Sequence, residues 1–157
     1  MSGKDTPSLL QEHLDVIYAQ ASAEFPKECC GYIHGRGATA RVVQCKNRQD
    51  QLHAFDPELN PRTAENGYNI GGRELLELTR SFESDDPATI IYHSHPRVGA
   101  YFSGEDTEAA LSSSLPVDYL VVDAQEDGVK GAILFRREGQ KYVELERFGE
   151  PGGEREA

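Results

Sequence analysis

Residues 88–106 read ATIIYHSHPRVGAYFSGED, and this stretch decides the fold. Its apolar start, residues 88–92, predicts a buried strand that ends at His93. Because His93 and His95 are two residues apart, their side chains share one face of an extended chain and both imidazoles can reach one ion. Asp106 lies a few residues into the next predicted helix, where it can supply a carboxylate oxygen.

Two histidines and one carboxylate form a three-ligand zinc site that keeps a fourth position open for water, the pattern of catalytic rather than structural zinc. Zinc lowers the pKa of its water to about 7. Hydrolysis also needs a group that takes a proton and hands it to the leaving amine, typically contributing about a hundred- to ten-thousand-fold. Glu28, at the edge of a predicted strand, can do this. Ser103 can donate a hydrogen bond to the developing oxyanion.

Three of these residues also have an ordinary structural interpretation. Ser103-x-x-Asp106 matches a capping box, with Ser103 as N-cap and Asp106 at the third helical position. Taken alone, this pair favours the cap over the metal, although the two roles are compatible. Glu28 taken alone would be a surface residue.

The cysteines and the other histidines are weaker candidates. Cys29 and Cys30 suggest a thiolate metal site with His34, or a nucleophile. Adjacent residues of a strand point to opposite faces, however, so they are poor joint ligands, and Cys30 is expected to be a small buried residue. His13, His34 and His53 have no partners at ligand spacing.

Periodicity predicts strands and helices that alternate on both sides of the opening stretch. An N-cap pattern at Thr6-Pro7 precedes an apolar helical stripe that Pro26 closes. A long polar loop over 46–69, with at most one helical turn, is of a length that is often functional. The other predicted elements are a hairpin over 30–34 and 39–45, helices over 72–82 and 103–115, and strands over 88–92, 117–122, 130–136 and 140–148. This interleaving indicates an α/β class with a mixed sheet covered by helices.

The composition indicates a single globular domain in a reducing compartment. The length of 157 residues suits one domain, predicted over 6–148, followed by a flexible tail over 149–157. A net charge of −11 disfavours nucleic acid and anionic membranes as partners. Three cysteines, no signal-peptide pattern and no stretch approaching about 18 apolar residues predict a cytoplasmic protein.

These residues together resemble the JAMM (MPN-plus) metalloprotease family. Its signature is a distant Glu, then His-x-His, seven residues and Ser-x-x-Asp. Here His95 is followed by the seven residues 96–102 and then by Ser103 to Asp106. Residues 26–35, PKECCGYIHG, also resemble the Glu-bearing segment of the family, in which Glu-x-Cys-Gly is frequent. The resemblance covers about residues 9–148.

The resemblance implies a cytidine-deaminase-like α/β fold and a single Zn²⁺ with a catalytic water. It assigns His93, His95 and Asp106 as ligands, Glu28 as general acid/base and Ser103 as the residue that stabilises the tetrahedral intermediate. Family members cleave peptide or isopeptide bonds after the C-terminal Gly-Gly of ubiquitin or ubiquitin-like proteins. Small single-domain members, common in bacteria, process ubiquitin-like sulfur carriers.

The expected partner is therefore a ubiquitin-like or sulfur-carrier protein, with a homodimer also possible. Segment 46–69 is a candidate lining for the groove that holds the substrate tail, where an extended peptide can add as a strand. A loop without a role in binding is an equal alternative. Two other functions stay open, a non-catalytic MPN-type binding module and a zinc amidase or peptidase acting on cell-wall or other small peptides.

Overall fold

A computed structural model describes residues 7–154 of the chain. Within them, four α-helices surround one sheet of six strands. The helices are α1 (Gln11–Glu24), α2 (Gln49–Phe55), α3 (Gly72–Ser81) and α4 (Gly104–Ser113). The strands are β1 (Cys30–His34), β2 (Arg41–Cys45), β3 (Ala88–Pro96), β4 (Asp118–Gln125), β5 (Gly128–Glu138) and β6 (Lys141–Gly149). The predicted α/β class with a mixed sheet is confirmed.

The strand order is β2-β1-β3-β4-β5-β6, and the pair β3–β4 is parallel while the other pairs are antiparallel. A parallel pair needs a crossover connection, and α4 lies in it. Because β1 runs antiparallel to β3, with Cys30 opposite His93, the chain just before β1 lies at the carboxyl end of β3. The topology therefore brings three separate parts of the sequence to one end of the sheet.

Both faces of the central strands are buried, which explains the continuous apolar run before His93. Ile90 and Tyr92 point into the core that also contains Ile17 of α1. Ile91 points into a second core, which contains Leu78 of α3 and Ala110 of α4. Burial of each large side chain of this kind contributes about 1.5–3 kcal/mol.

A buried hydrogen-bond network ties α1 to the centre of the sheet. The Tyr92 hydroxyl donates to Gln20 Oε1, and Gln20 Nε2 donates to the carbonyl of Cys30 at 3.0 Å. Gly31 leaves the space that the Tyr92 ring occupies, because a Cβ at that position would overlap the ring. Replacing Gly31 would therefore disturb β1 beside the strand end that carries His93.

The first helix begins later than the sequence indicates. It starts at Gln11, so the prediction that Pro7 occupies its first turn is wrong, and Thr6 lies outside the described residues. Leu10 stands at the N-cap position instead. The side chain of Leu10 accepts no capping hydrogen bond, but the Leu10 N–H donates to Nδ1 of His13, the third helical residue, at 3.1 Å.

Two further elements differ in length from their predictions. Strand β3 continues past residue 92 to Pro96, because its pairing with β4 extends to Pro96 opposite Ala124. Segment 46–69 contains α2, a helix of seven residues, where at most one turn was predicted. The amide N–H of Gln49 donates to Asn47 Oδ1 at 2.9 Å at its start.

The residues after β6 pack against the sheet. Pro151 is buried, and the N–H of Gly152 donates to Asp123 Oδ2 at 2.7 Å. The N–H of Ala100 donates to the carbonyl of Gly152 at 2.8 Å. The chain end that the sequence assigns to a tail therefore contacts the loop after β3 as far as Gly153.

None of the helices within residues 7–154 has the length and hydropathy needed to cross a membrane.

Candidate metal centre

Three potential ligand atoms converge at the carboxyl end of β3. The Nε2 atoms of His93 and His95 are 3.1 Å apart. Asp106 Oδ2 lies 3.2 Å from Nε2 of His93 and 3.0 Å from Nε2 of His95. Within residues 7–154 these side chains form the group of His, Cys, Asp and Glu that could hold a metal ion.

The donor set fits zinc. A tetrahedral ion about 2.0 Å from each donor separates the donors by about 3.3 Å, close to the three observed distances. At this range both imidazole nitrogens face one carboxylate oxygen. A cation shared by the three atoms also stabilises this arrangement. Three protein ligands leave the fourth tetrahedral position for water or substrate.

Neighbouring groups hold the two histidine rings in place. Nδ1 of His95 lies 3.0 Å from the carbonyl of Gly99, and donation from this nitrogen leaves Nε2 available to a metal. Tyr101 contacts the His95 ring edge-on, with ring centroids 5.0 Å apart. Tyr68 stacks on the His93 ring at 4.4 Å. His93 Nδ1 is buried and has no hydrogen-bond partner within residues 7–154, so the stacking of Tyr68 is the contact that orients this ring.

Asp106 is both a helix-capping residue and a potential ligand. The N–H of Asp106 donates to Ser103 Oγ at 3.0 Å, and the N–H of Ser103 donates to Asp106 Oδ2 at 3.2 Å. The predicted capping box is thus present, and the same oxygen faces both imidazoles. Burial alone would raise the pKa of the Asp106 carboxyl, but the charges and hydrogen bonds of His93 and His95 hold it well below its usual range.

Glu28 is fixed beside this group by the backbone on both sides. The N–H of Cys29 donates to Ser94 Oγ at 2.8 Å, and the N–H of Ser94 donates to the carbonyl of Cys29 at 3.1 Å. The N–H of Glu28 donates to the carbonyl of Ala64 at 2.7 Å, and Asn47 Nδ2 donates to the Glu28 carbonyl at 2.9 Å. The Glu28 segment is therefore bonded both to the His-x-His strand and to segment 46–69.

Glu28 is only 6% exposed, against the sequence-based expectation for an isolated glutamate. Burial raises the pKa of Glu28 to about 8; His95 and Arg62 oppose the shift, and Asp106 adds to it. A cation bound by the three donor atoms would also oppose this rise in the pKa of Glu28. A buried carboxyl beside potential metal ligands is typical of a group that exchanges protons.

A cleft of about 180 Å³ opens onto these side chains. Four of the five residues singled out from the sequence line it, and His93 lies behind them. The lining residues that carry polar or aromatic groups are Glu28, Arg62, Glu65, Asn66, His95, Arg97, Tyr101, Ser103, Glu105 and Asp106. Sequence reasoning missed Arg62, Tyr68 and Tyr101; the only signal was that Arg62 and Tyr68 belong to the long polar segment 46–69.

The remaining histidines and the cysteines lie elsewhere. His13, His34 and His53 each bond to nearby backbone groups and do not join the donor group. Cys29 and Cys30 are buried in cores on opposite faces of the sheet, as predicted. Burial raises the pKa of Cys29 to about 12, which suits a buried apolar side chain rather than a nucleophile.

A mixed sheet with His-x-His at the end of a central strand, and Ser-x-x-Asp at the start of the following helix, defines the JAB-type (JAMM/MPN) class of domains. This class includes peptidases. The chain belongs to the prokaryotic homologs of the JAB domain, whose family model matches residues 10–136.

Known proteins agree with this assignment. The chain is 25% identical over 114 residues to proteins named CysO-cysteine peptidase in Mycobacterium tuberculosis and Mycobacterium bovis, covering 72% of this chain and 70% of theirs. Its fold resembles the solution structure of a protein from Desulfitobacterium hafniense, with a TM-score of 0.61 at 21% identity. It also resembles one from Salinibacter ruber, with a TM-score of 0.54 at 16% identity. Each of these two likenesses covers 87% of both chains.

Proposed function

We propose that this protein is a zinc-dependent peptidase that cleaves the peptide or isopeptide bond after the C-terminal Gly-Gly of a ubiquitin-like or sulfur-carrier protein. The observation that carries the proposal is the convergence of His93, His95 and Asp106 on one cleft that also contains the buried carboxyl of Glu28. The relatives named CysO-cysteine peptidase support a substrate of the sulfur-carrier kind.

In this proposal His93, His95 and Asp106 hold one zinc ion. When bound, the ion supplies a Lewis acid and a water of lowered pKa. Glu28 takes a proton from the attacking water and then delivers it to the leaving nitrogen, a role that suits a buried carboxyl with a raised pKa.

In the same proposal, Ser103 stabilises the negative charge that develops on the carbonyl oxygen. Its Oγ accepts the N–H of Asp106, which fixes the hydroxyl at the rim of the donor group. The hydroxyl hydrogen can then be directed to the substrate oxygen. Removal of one such donor from an active site typically costs about a hundred- to a thousand-fold in turnover.

A direct test uses ubiquitin and a panel of bacterial sulfur-carrier proteins, each extended beyond its Gly-Gly. The zinc-loaded protein is expected to shorten at least one of them to the Gly-Gly end, as measured by intact mass, and the chelated protein is expected to leave all of them unchanged. Cleavage of murein peptides with none of the carriers processed would support the cell-wall alternative and contradict the proposal.

A further inference from the structure

Arg62 stands in the same cleft as Glu28, Ser103 and Asp106. Its backbone is fixed, because Gln49 Nε2 donates to the Arg62 carbonyl at 3.0 Å. Two residues further on, the carbonyl of Ala64 accepts the N–H of Glu28. Arg62 is thus held by the segment that anchors Glu28, and its guanidinium is among the charges that influence the Glu28 carboxyl.

The guanidinium of Arg62 is a positive charge among mostly acidic neighbours. The chain has a net charge of −11, and four carboxylates line the cleft, those of Glu28, Glu65, Glu105 and Asp106. Beyond the reach of a zinc ion held by the three donors, such a cleft repels an anionic ligand everywhere except beside an arginine. An anionic group bound here would therefore be directed to the Arg62 side.

The other arginine of the cleft, Arg97, already contacts groups outside the cleft lining. The Arg97 guanidinium lies 5.2 Å from the centroid of the Phe25 ring, and its Nε is 3.5 Å from Glu126 Oε1. Arg62 instead points across the cleft toward the start of α4, where its Nη2 is 3.5 Å from Glu105 Oε1. That pair is long and its Glu105 side chain is 63% exposed, so it stabilises little and a better-placed carboxylate can replace it.

The chemistry of the proposed reaction says which part of a substrate meets Arg62. Glu28 delivers a proton to the leaving nitrogen, so the released residue lies beside Glu28. If that residue is the last one of the chain, its carboxylate carbon is two bonds, or about 2.5 Å, from the leaving nitrogen. The carboxylate then lies inside the cleft that Arg62 lines.

Building on the proposed function, we propose that Arg62 binds the free α-carboxylate of a single amino acid joined to the Gly-Gly end. The preferred substrate is then a carrier protein extended by one C-terminal residue, rather than an isopeptide or a long extension. An arginine suits this task because its planar guanidinium pairs with a carboxylate through two parallel hydrogen bonds.

The test compares the same panel of carrier proteins extended by one alanine, either as the free acid or as the carboxamide. The wild-type protein is expected to prefer the free acid by about tenfold or more in kcat/KM, mainly through a lower KM, as for a charge-assisted hydrogen-bonded pair. In Arg62→Gln, kcat/KM for the free acid should fall to the value for the carboxamide. The value for the carboxamide itself should stay within about threefold of that of the wild type. Arg62→Lys should restore part of the preference, and the matched variant Arg97→Gln should keep the wild-type ratio.

Two results overturn this inference while the proposed function stands. One is a wild-type protein that cleaves the acid and the amide equally well. The other is an Arg62→Gln variant in which both substrates lose the same factor, which would indicate a purely structural role. If the wild-type protein cleaves neither these substrates nor longer extensions of the same carriers, the proposed function itself fails, and the two failures are distinguishable.

Discussion

At the scale of single residues, Asp106 Oδ2 has three neighbours that the sequence could only suggest. It accepts the N–H of Ser103 and lies within 3.2 Å of Nε2 in both His93 and His95. The spacing of the motif predicts the cap and the ligand as two compatible roles. In the structure one carboxylate occupies both positions, because α4 starts beside the end of β3 that carries His93 and His95.

Replacement of His95 by alanine is expected to abolish zinc binding rather than only slow turnover. His95 supplies one of three donors, and a ring held by Gly99 and Tyr101 has no substitute nearby. Metal analysis of the purified variant should find it free of zinc, while His53→Ala, in α2, should match wild type. Equal zinc content in His95→Ala and wild type would refute the ligand assignment.

Ser103→Ala is expected to lower the free energy of unfolding of the metal-free protein by about 0.5–2 kcal/mol, because α4 loses its N-cap acceptor. Urea denaturation measures the change. The matched variant is Ser112→Ala, an exposed residue of the same helix, which should change stability by less than about 0.5 kcal/mol. Similar losses in the two variants would show that the cap contributes nothing specific.

At the scale of the elements, β3 and α4 follow from the sequence while α2 and the start of α1 do not. β3 is apolar and buried on both faces, and α4 opens with a capping box, so local patterns suffice. None of the residues of α2 is buried, so it has no apolar stripe to reveal it. The position of Arg62 depends on a long-range bond from Gln49, which no local pattern encodes.

The contact between the loop after β3 and the chain end yields a prediction at this scale. Gly99 has φ +91°, and a Cβ there would overlap the carbonyl of Gly153. Gly99→Ala should displace the carbonyl that orients His95 and weaken zinc affinity by about 10- to 100-fold, the usual effect of losing such a support. Competition with a chelating dye measures this affinity.

Gly153→Ala is the matched variant for that experiment, because a Cβ at Gly153 meets open space. It should bind zinc with wild-type affinity. If Gly99→Ala also bound zinc as wild type does, the loop and the chain end would have no influence on the centre.

At the scale of the whole molecule, two large apolar cores pack on opposite faces of one sheet. The sequence predicts this architecture because strands and helices alternate in it. No local pattern predicts the contacts near the chain end, where Pro151 and Gly152 pack against the sheet through contacts with β4 and the loop after β3. Those contacts join residues about thirty and fifty positions apart, so they exist only in the assembled fold.

Removal of zinc should therefore leave the protein folded but less stable. Far-UV circular dichroism of the chelated protein is expected to match that of the zinc-loaded form. Zinc at 100 times its Kd should stabilise the native state by about 2.7 kcal/mol and raise Tm accordingly. The His95→Ala variant should show no such increase, and a chelated protein that unfolds would contradict the claim that the two cores suffice.

The central claim is that Glu28 transfers protons at a zinc centre formed by His93, His95 and Asp106. Its most direct test is the zinc content and turnover of Glu28→Gln, measured on the same sample with an extended sulfur-carrier protein that the wild type cleaves. The account predicts wild-type zinc content and a loss of turnover of about a hundred- to ten-thousand-fold. Turnover equal to that of wild type at full zinc occupancy would contradict it.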